Sequence, residues 1–355
     1  MAGGGKQVSE PMVESAPASP VAAVSAGSRR PRLGFLGVGW IGRHRMEAIA
    51  ADGAAEVAAL CDAGPEALGT AVVAHPRAAA ASSFDALLDE RLDGIVIATP
   101  SALHAQQAEA ALARGCAVFC QKPLGRSAVE STRVIEAARQ AGLLLAVDLS
   151  YRHTAAMRCV RELVASGELG EVYAVDLVFH NAYGPDKPWF RDPKRSGGGC
   201  VIDLGIHLVD LALWTLGFPH VLEVQSTLWA QGRRLGARPS VVEDHAIAQL
   251  ELGGGATARL ACSWNLHAGC DAVIEATFHG TRGGARLRNL RGSFYDFVAE
   301  RLDGTRATLL AEPPDDWGGR AAVDWARRLA AGEGFDPEVA RVAEVAAVLD
   351  AIYGR

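Results

Sequence analysis

The chain has 355 residues, 49% of them apolar, with 35 Lys and Arg against 41 Asp and Glu for a net charge of −6. Length alone sets two domains as the starting expectation, and the mild negative charge gives no electrostatic footprint for nucleic acid. Seven cysteines without a CxxC pair point to reduced, buried thiols in a cytoplasmic protein rather than a disulfide scaffold, and no apolar run of spanning length is evident, so no membrane partner is expected.

The first 32 residues, rich in Gly, Ala, Ser and Pro, lack the apolar content for a core and are expected to form a disordered tail. The tail ends in SRRPRLGFLG (Ser28–Gly37), which superficially has the form of a twin-arginine export signal. The apolar stretch reads better as a first β-strand, and no cleavage site follows a proper h-region.

Residues 33–150 are expected to form a dinucleotide-binding α/β domain. The run Leu33–Leu36 leads into GVGWIG, in which Gly37, Gly39 and Gly42 form GxGxxG around Trp40 and Ile41, and a helical pattern follows. The first glycine permits the tight turn, the second lets backbone approach a pyrophosphate, and the third lets helix pack on strand. The phosphates then lie at a helix N-terminus, where free N–H groups favour anions. A second apolar run, Val57–Cys61, ends in Asp62, whose carboxylate can accept both ribose hydroxyls of NAD and repel the 2′-phosphate of NADP. Strands at Ile95–Ala98, Ala117–Cys120 and Leu143–Val147 alternate with helices at Ala102–Arg114 and Ala128–Ala141, the pattern of a doubly wound parallel sheet. Thr99, Pro100 and Lys122 fall just past strand ends, where such sheets bind ligands.

Lysine is rare. Only Lys6, Lys122, Lys187 and Lys194 interrupt a chain that otherwise uses arginine. Lys122, in CQKPLG (Cys120–Gly125), is therefore a candidate catalytic group, because an ammonium can stabilise an alkoxide and exchange a proton where a guanidinium cannot.

Residues 151–355 are expected to form an α+β domain with a large, mostly antiparallel sheet. Ser196–Gly217 (SGGGCVIDLGIHLVDLALWTLG) is apolar nearly all round, hence a buried helix. Its polar exceptions, Asp203, His207 and Asp210, are spaced to share one face. A histidine beside a carboxylate is the usual acid/base unit, with Asp203 orienting the imidazole and Asp210 structural. A metal site is not expected, since no further ligand motif accompanies them. Strands follow at Leu222–Ala230, His245–Leu252, Ala256–Trp264, Ala272–Phe278 and Phe294–Leu302. A last helix, Asp336–Tyr353, is expected to pack back on the first domain. The segment His180–Arg195 mixes Tyr183, Trp189 and Phe190 with Lys187 and Arg191, a composition suited to a polyhydroxylated ring, including acidic or phosphorylated sugars.

Together GVGWIG, Asp62, ATPSALH (Ala98–His104), QKP (Gln121–Pro123) and GGGCVIDLGIHLVD (Gly197–Asp210) resemble the Gfo/Idh/MocA family of glucose–fructose oxidoreductases and inositol dehydrogenases. The resemblance implies NAD(P)-dependent oxidation or reduction of a carbinol on a sugar, cyclitol or related polyol, by a homodimer or homotetramer. It implies Lys122, Asp203 and His207 as catalytic groups. The glycine motif with Asp62, Thr99, Pro100, His104, Gln121 and Lys122 are the candidates at the cofactor; at the substrate the resemblance adds Arg152 to His207 and to His180, Tyr183 and Trp189 of the aromatic segment. The family commonly has Glu where this chain has Gln121, which puts a contact to the cofactor ribose in question. An NAD-dependent glycoside hydrolase acting by transient oxidation, and a non-catalytic dinucleotide sensor, are the alternatives.

Overall fold

The structure is a computed structural model and describes residues 29–236 and 240–355. Most of the expected tail, residues 1–28, lies outside the described residues. The last four tail residues are ordered: Arg29 pairs with Asp93 at 2.8 Å and Arg32 opens the first strand.

The first sheet holds six strands, β1 (Arg32–Leu36), β2 (Glu56–Cys61), β3 (Ala79–Ala80), β4 (Gly94–Ile97), β5 (Ala117–Cys120) and β6 (Leu145–Val147), all parallel, in the order 3-2-1-4-5-6. Helices α1 (Trp40–Asp52), α2 (Pro65–Ala74), α3 (Phe84–Leu88), α4 (Ser101–Ala113) and α5 (Ala128–Ala141) link them. Strand residues alternate between two cores. Leu33, Phe35, Val96 and Phe119 face α1, while Ile95, Ile97 and Val118 face α4 and α5, as two-sided burial of a parallel sheet requires.

The second sheet has nine strands: β7 (Val172–Asn181), β8 (Val221–Ala230), β9 (Arg233–Arg234), β10 (His245–Leu252), β11 (Thr257–Ser263), β12 (Ala272–Gly280), β13 (Gly283–Asn289), β14 (Phe297–Asp303) and β15 (Arg306–Ala311), in the order 15-14-13-12-7-11-10-8-9. Only the β7–β11 pair is parallel. One face packs on α6 (Ala155–Ala165), α8 (Ile206–Thr215) and α10 (Arg341–Ile352), which follow and precede the short α7 (Pro193–Ser196) and α9 (Arg320–Ala330) in the chain. The opposite face carries ion pairs such as Arg259–Asp176 and Arg286–Glu300–Arg288.

The chain's C-terminal helices complete the first sheet. Trp325 of α9 is fully buried against Phe119 of β5, with ring centroids 5.8 Å apart, and Val342 of α10 enters the core beside α5. The expected buried helix over Ser196–Gly217 is not continuous. A short turn of helix ends at Ser196, Gly197–Gly199 leave the helical conformation, and the helix resumes at Cys200 through a π-turn, Val201–Gly205, into Ile206–Thr215. Taken as one segment, Pro193–Thr215 is long and apolar enough to cross a membrane, contrary to the expectation, but 94% of its apolar 18-residue window is buried in the protein interior, so it is a core element.

Trp325→Ala is expected to destabilise the protein by about 3–5 kcal/mol, since it opens a cavity under the first sheet. Trp325→Phe is expected to cost less, because the indole N–H meets no acceptor among the described residues. Chemical denaturation of both variants checks this.

Candidate active site

The glycine-rich turn has the shape its sequence requires. Gly37 sits at φ +86°, and a Cβ there would meet the Ala98 carbonyl oxygen at 2.6 Å. A Cβ on Gly42 would meet the Gly37 oxygen at 1.9 Å, whereas one on Gly39 would meet nothing within 4 Å. The space over Gly39 is therefore open. Gly39 is also the N-cap of α1 and provides no side-chain cap, in contrast to Ser127 and Thr154, which cap α5 and α6. The first N–H groups of α1 remain free for an anion. Trp40 and Ile41 follow on the first turn; Trp40 is 65% exposed and stacks on His44 at 6.2 Å. Asp62 accepts Val38 N–H and Gly64 N–H, one on each oxygen, both at 2.7 Å. Each oxygen keeps a second lone pair for a ribose hydroxyl. These residues fit a dinucleotide.

At the other side of the strand ends, Thr99 donates to Gln107 at 2.6 Å, and Pro100 is the N-cap of α4. Gln121 follows β5 and donates its amide to Asp148. Lys122 crosses from the first sheet to the π-turn. Its Nζ donates to Asp203 Oδ1 at 2.7 Å and to the Asp203 main-chain oxygen at 2.5 Å, and both side chains are 18% exposed. The second Asp203 oxygen accepts Trp264 Nε1–H at 3.0 Å.

His207 lies one turn beyond Asp203. The expected orientation of its imidazole by Asp203 is not found: that carboxylate accepts from Lys122 and Trp264, one on each oxygen, and not from His207. The ring instead sits against Tyr151 with centroids 4.8 Å apart, and its nitrogens have no hydrogen-bond partner among the described residues. Burial, together with the charge of Lys122, holds the His207 pKa well below the ordinary histidine range, so the imidazole is neutral and able to accept a proton. Asp210 forms a two-point ion pair with Arg152.

The run Gly197–Gly199 places this segment. Gly197 is left-handed at φ +89°; a Cβ on Gly198 would strike Tyr353 Oη at 2.0 Å, and one on Gly199 the Glu243 main-chain oxygen at 1.9 Å. The Glu243 side chain, in a residue only 1% exposed, accepts Gly199 N–H at 3.0 Å, Val201 N–H at 2.9 Å and Tyr353 O–H at 2.7 Å. A buried carboxylate thus caps the segment bearing Asp203 and His207, in the place where a helix start presents unpaired N–H groups.

Three residues expected at the ligands are elsewhere. His104 is 1% exposed, and its nitrogens face the Pro123 and Thr99 carbonyl oxygens, both at 2.7 Å; it clips two strand ends together and is too buried to touch a cofactor. Arg152 is spent on Asp210 and lies over Trp214 and Phe218. His180 is the last-but-one residue of β7, not part of a loop. Since strand side chains alternate, it points to the sheet face opposite Phe179, which is packed near His207. There it bonds Ser263 at 2.7 Å and stacks on His245. Trp189 stacks on Phe190 at 3.8 Å, and Phe190 meets Trp264 edge-on, so this part of the loop does reach the Asp203 side. Tyr183 is 54% exposed and tied to Asp271. Trp264, Tyr151, Asp148 and Glu243 are at the centre although no local motif marks them: each comes from a distant strand end or turn.

Two family models match the chain: an oxidoreductase family with an NAD-binding Rossmann fold over residues 31–149, and the GFO/IDH/MocA C-terminal domain over residues 157–286. The chain belongs to the GFO/IDH/MocA oxidoreductase family. Among its relatives, a putative UDP-kanosamine synthase oxidoreductase subunit of Amycolatopsis mediterranei is 33% identical over 72% of this chain and 75% of that one. A D-glucoside 3-dehydrogenase of Escherichia coli is 29% identical over 57% of this chain; the match spans 60% of that relative's length. The crystal structure of GenD2 from gentamicin A biosynthesis, in complex with NAD, superposes with a TM-score of 0.75 at 26% identity, covering 94% of this chain and 97% of GenD2. The protein is accordingly an NAD(P)-dependent oxidoreductase of a sugar-acting family.

Burial lowers the pKa of His104, His153, His180, His207 and His245, that of His180 to about 4. An unfolded histidine titrates near 6.5. Below that pH the unfolded chain binds protons that the folded one refuses, so stability present above about pH 6.5 is lost as pH falls. Glu243, raised by burial, works in the opposite direction but is one group against five. The melting temperature is expected to fall steadily from pH 7.5 to pH 5; a flat or rising profile contradicts these assignments.

Proposed function

We propose that the protein transfers a hydride between a nicotinamide cofactor, NAD in preference to NADP, and a carbinol carbon of a sugar, cyclitol or related polyol. The observation that carries this reading is the state of Lys122. An ammonium has three N–H bonds; two are held by Asp203, and the third is left for a substrate oxygen. Asp203 thereby positions Lys122 rather than His207. In the oxidative direction a ring nitrogen of neutral His207 accepts the hydroxyl proton, and Lys122 Nζ donates a hydrogen bond to the oxygen as it gains charge. In reduction the same proton moves back from His207. Bound nicotinamide supplies the hydride acceptor or donor. The open space over Gly39, the uncapped start of α1 and the free lone pairs of Asp62 support the cofactor's placement along the strand ends.

The substrate class rests on two supports. The Trp189–Phe190–Trp264 aromatic group ends at Asp203 and offers faces to an apolar sugar surface beside hydrogen-bonding groups. The relatives named above act, by their names, on a glucoside or in making an amino sugar nucleotide. GenD2, from gentamicin A biosynthesis, shares the fold over nearly the whole chain and binds NAD.

The test is NADH formation with a panel of sugars, cyclitols and glycosides. Lys122→Ala is expected to lower kcat by about 10²–10⁴-fold while NAD still binds, and His207→Ala to do likewise. The acid limb of kcat/KM is expected below pH 6.5, because His207 must be neutral. Unchanged turnover by Lys122→Ala removes that residue from the mechanism. Aglycone release without NADH points instead to hydrolysis by transient oxidation, and NAD binding without any turnover to a sensor.

A further inference from the structure

Among the described residues, Asp148 is a buried carboxylate beside Lys122's strand end that the mechanism does not use. It follows β6, its main-chain N–H bonds the Cys120 oxygen at 2.9 Å, and the residue is 1% exposed. Its Oδ2 accepts both the Gln121 amide and, at 2.6 Å, Nε of the buried Arg45 from α1. Its Oδ1 is buried with no partner among the described residues. A buried charge is costly unless paired. Arg45 neutralises this one.

An ionised carboxylate only accepts hydrogen bonds. It therefore fixes which end of the Gln121 amide it meets: Nε2 faces Asp148, and Oε1 must turn away. Gln121 is half-buried, and Oε1 is not among the fully buried atoms lacking a partner, so it lies at the surface of the strand-end ledge. A glutamate at 121 would set two carboxylates together, which cannot both ionise without cost. The neutral amide at 121 and the carboxylate at 148 thus form a matched pair.

We propose that Asp148, braced by Arg45, is a positioning residue that orients Gln121 so that its Oε1 accepts a hydrogen bond from the nicotinamide half of the bound cofactor. This rests on the dinucleotide reading above. Gln121 follows β5 while Asp62 follows β2, on opposite sides of β1 and β4, so the pair acts on one half of the cofactor and leaves the adenosine half untouched.

The experiment compares binding of NAD and of ADP by calorimetry to wild type, Gln121→Glu, Asp148→Asn and the double variant, with melting curves for each. Gln121→Glu and Asp148→Asn are each expected to weaken NAD binding by about tenfold, a usual coupling between touching groups, and to leave ADP binding unchanged. In the double variant the amide and the carboxylate have exchanged places, and most of the NAD affinity is expected to return. If Asp148→Asn fails to fold because Arg45 is left unpaired, Gln121→Glu and the double variant still decide. Wild-type NAD affinity in the single variants overturns the proposal. So does an equal loss of ADP affinity, which marks a general structural role, or a double variant whose loss is the product of the two single losses. Failure of the wild type to bind NAD would instead overturn the functional reading itself.

Discussion

An ion pair spans the gap between the two sheets, and the arrangement of the cleft depends on it. Lys122 comes from the end of β5 and Asp203 from a π-turn that belongs to the second domain. The pair does more than attract. It takes two of three ammonium hydrogens, withdraws Asp203 from His207, and leaves its positive charge beside an imidazole that burial has already pushed toward neutrality. One contact thereby sets the acid/base state of the neighbouring group as well as the position of the lysine.

The cost of such a pair in an apolar helix is offset by pairing its carboxylates and its start. Asp203 goes to Lys122 and Trp264, Asp210 to Arg152, and the helix start to Glu243. His207 and Thr215, at the end of α8, have side chains without a protein partner among the described residues. Of the two, His207 is the one that feels the charge of Lys122, so its unmet nitrogens lie on the side where a substrate is placed.

The alternation of strand and helix in the first domain was legible because a parallel sheet buried on both faces writes short apolar runs, and β5 and α5 occur at the very residues the pattern predicts, as does β10 in the second sheet. The glycine motif was equally plain, since its conformations leave few other residues possible. The central strand of the second sheet, β7, is absent from the expected strands, and His180 is expected in a loop, because Ala174 and Val178 share its open face with Asp176 and His180 and blur the alternation with Val175, Leu177 and Phe179 on the core face. The helical spacing of Asp203, His207 and Asp210 correctly grouped them, but a spacing says nothing about what stands opposite. Lys122, Trp264 and Arg152 settle which carboxylate does what, and they arrive from three separate elements. His104 illustrates the same limit in reverse, because a residue in a recognisable motif proved to be internal bracing.

The apolar pattern carries Gly197–Gly199 into a buried helix, whereas the backbone leaves the helix there, with Gly197 left-handed and Tyr353 and Glu243 pressing on Gly198 and Gly199. That contact bears on how the molecule is made. Tyr353 is synthesised long after Lys122, and Trp325 and Val342, which finish the core of the first sheet, emerge only after every strand of the second. Domains tend to fold as units during synthesis, but here neither unit has its full core until the C-terminal helices are present. A growing chain holds all the strands of both sheets before it can seal either one, so the order of synthesis makes completion of the cleft one of the final events of folding.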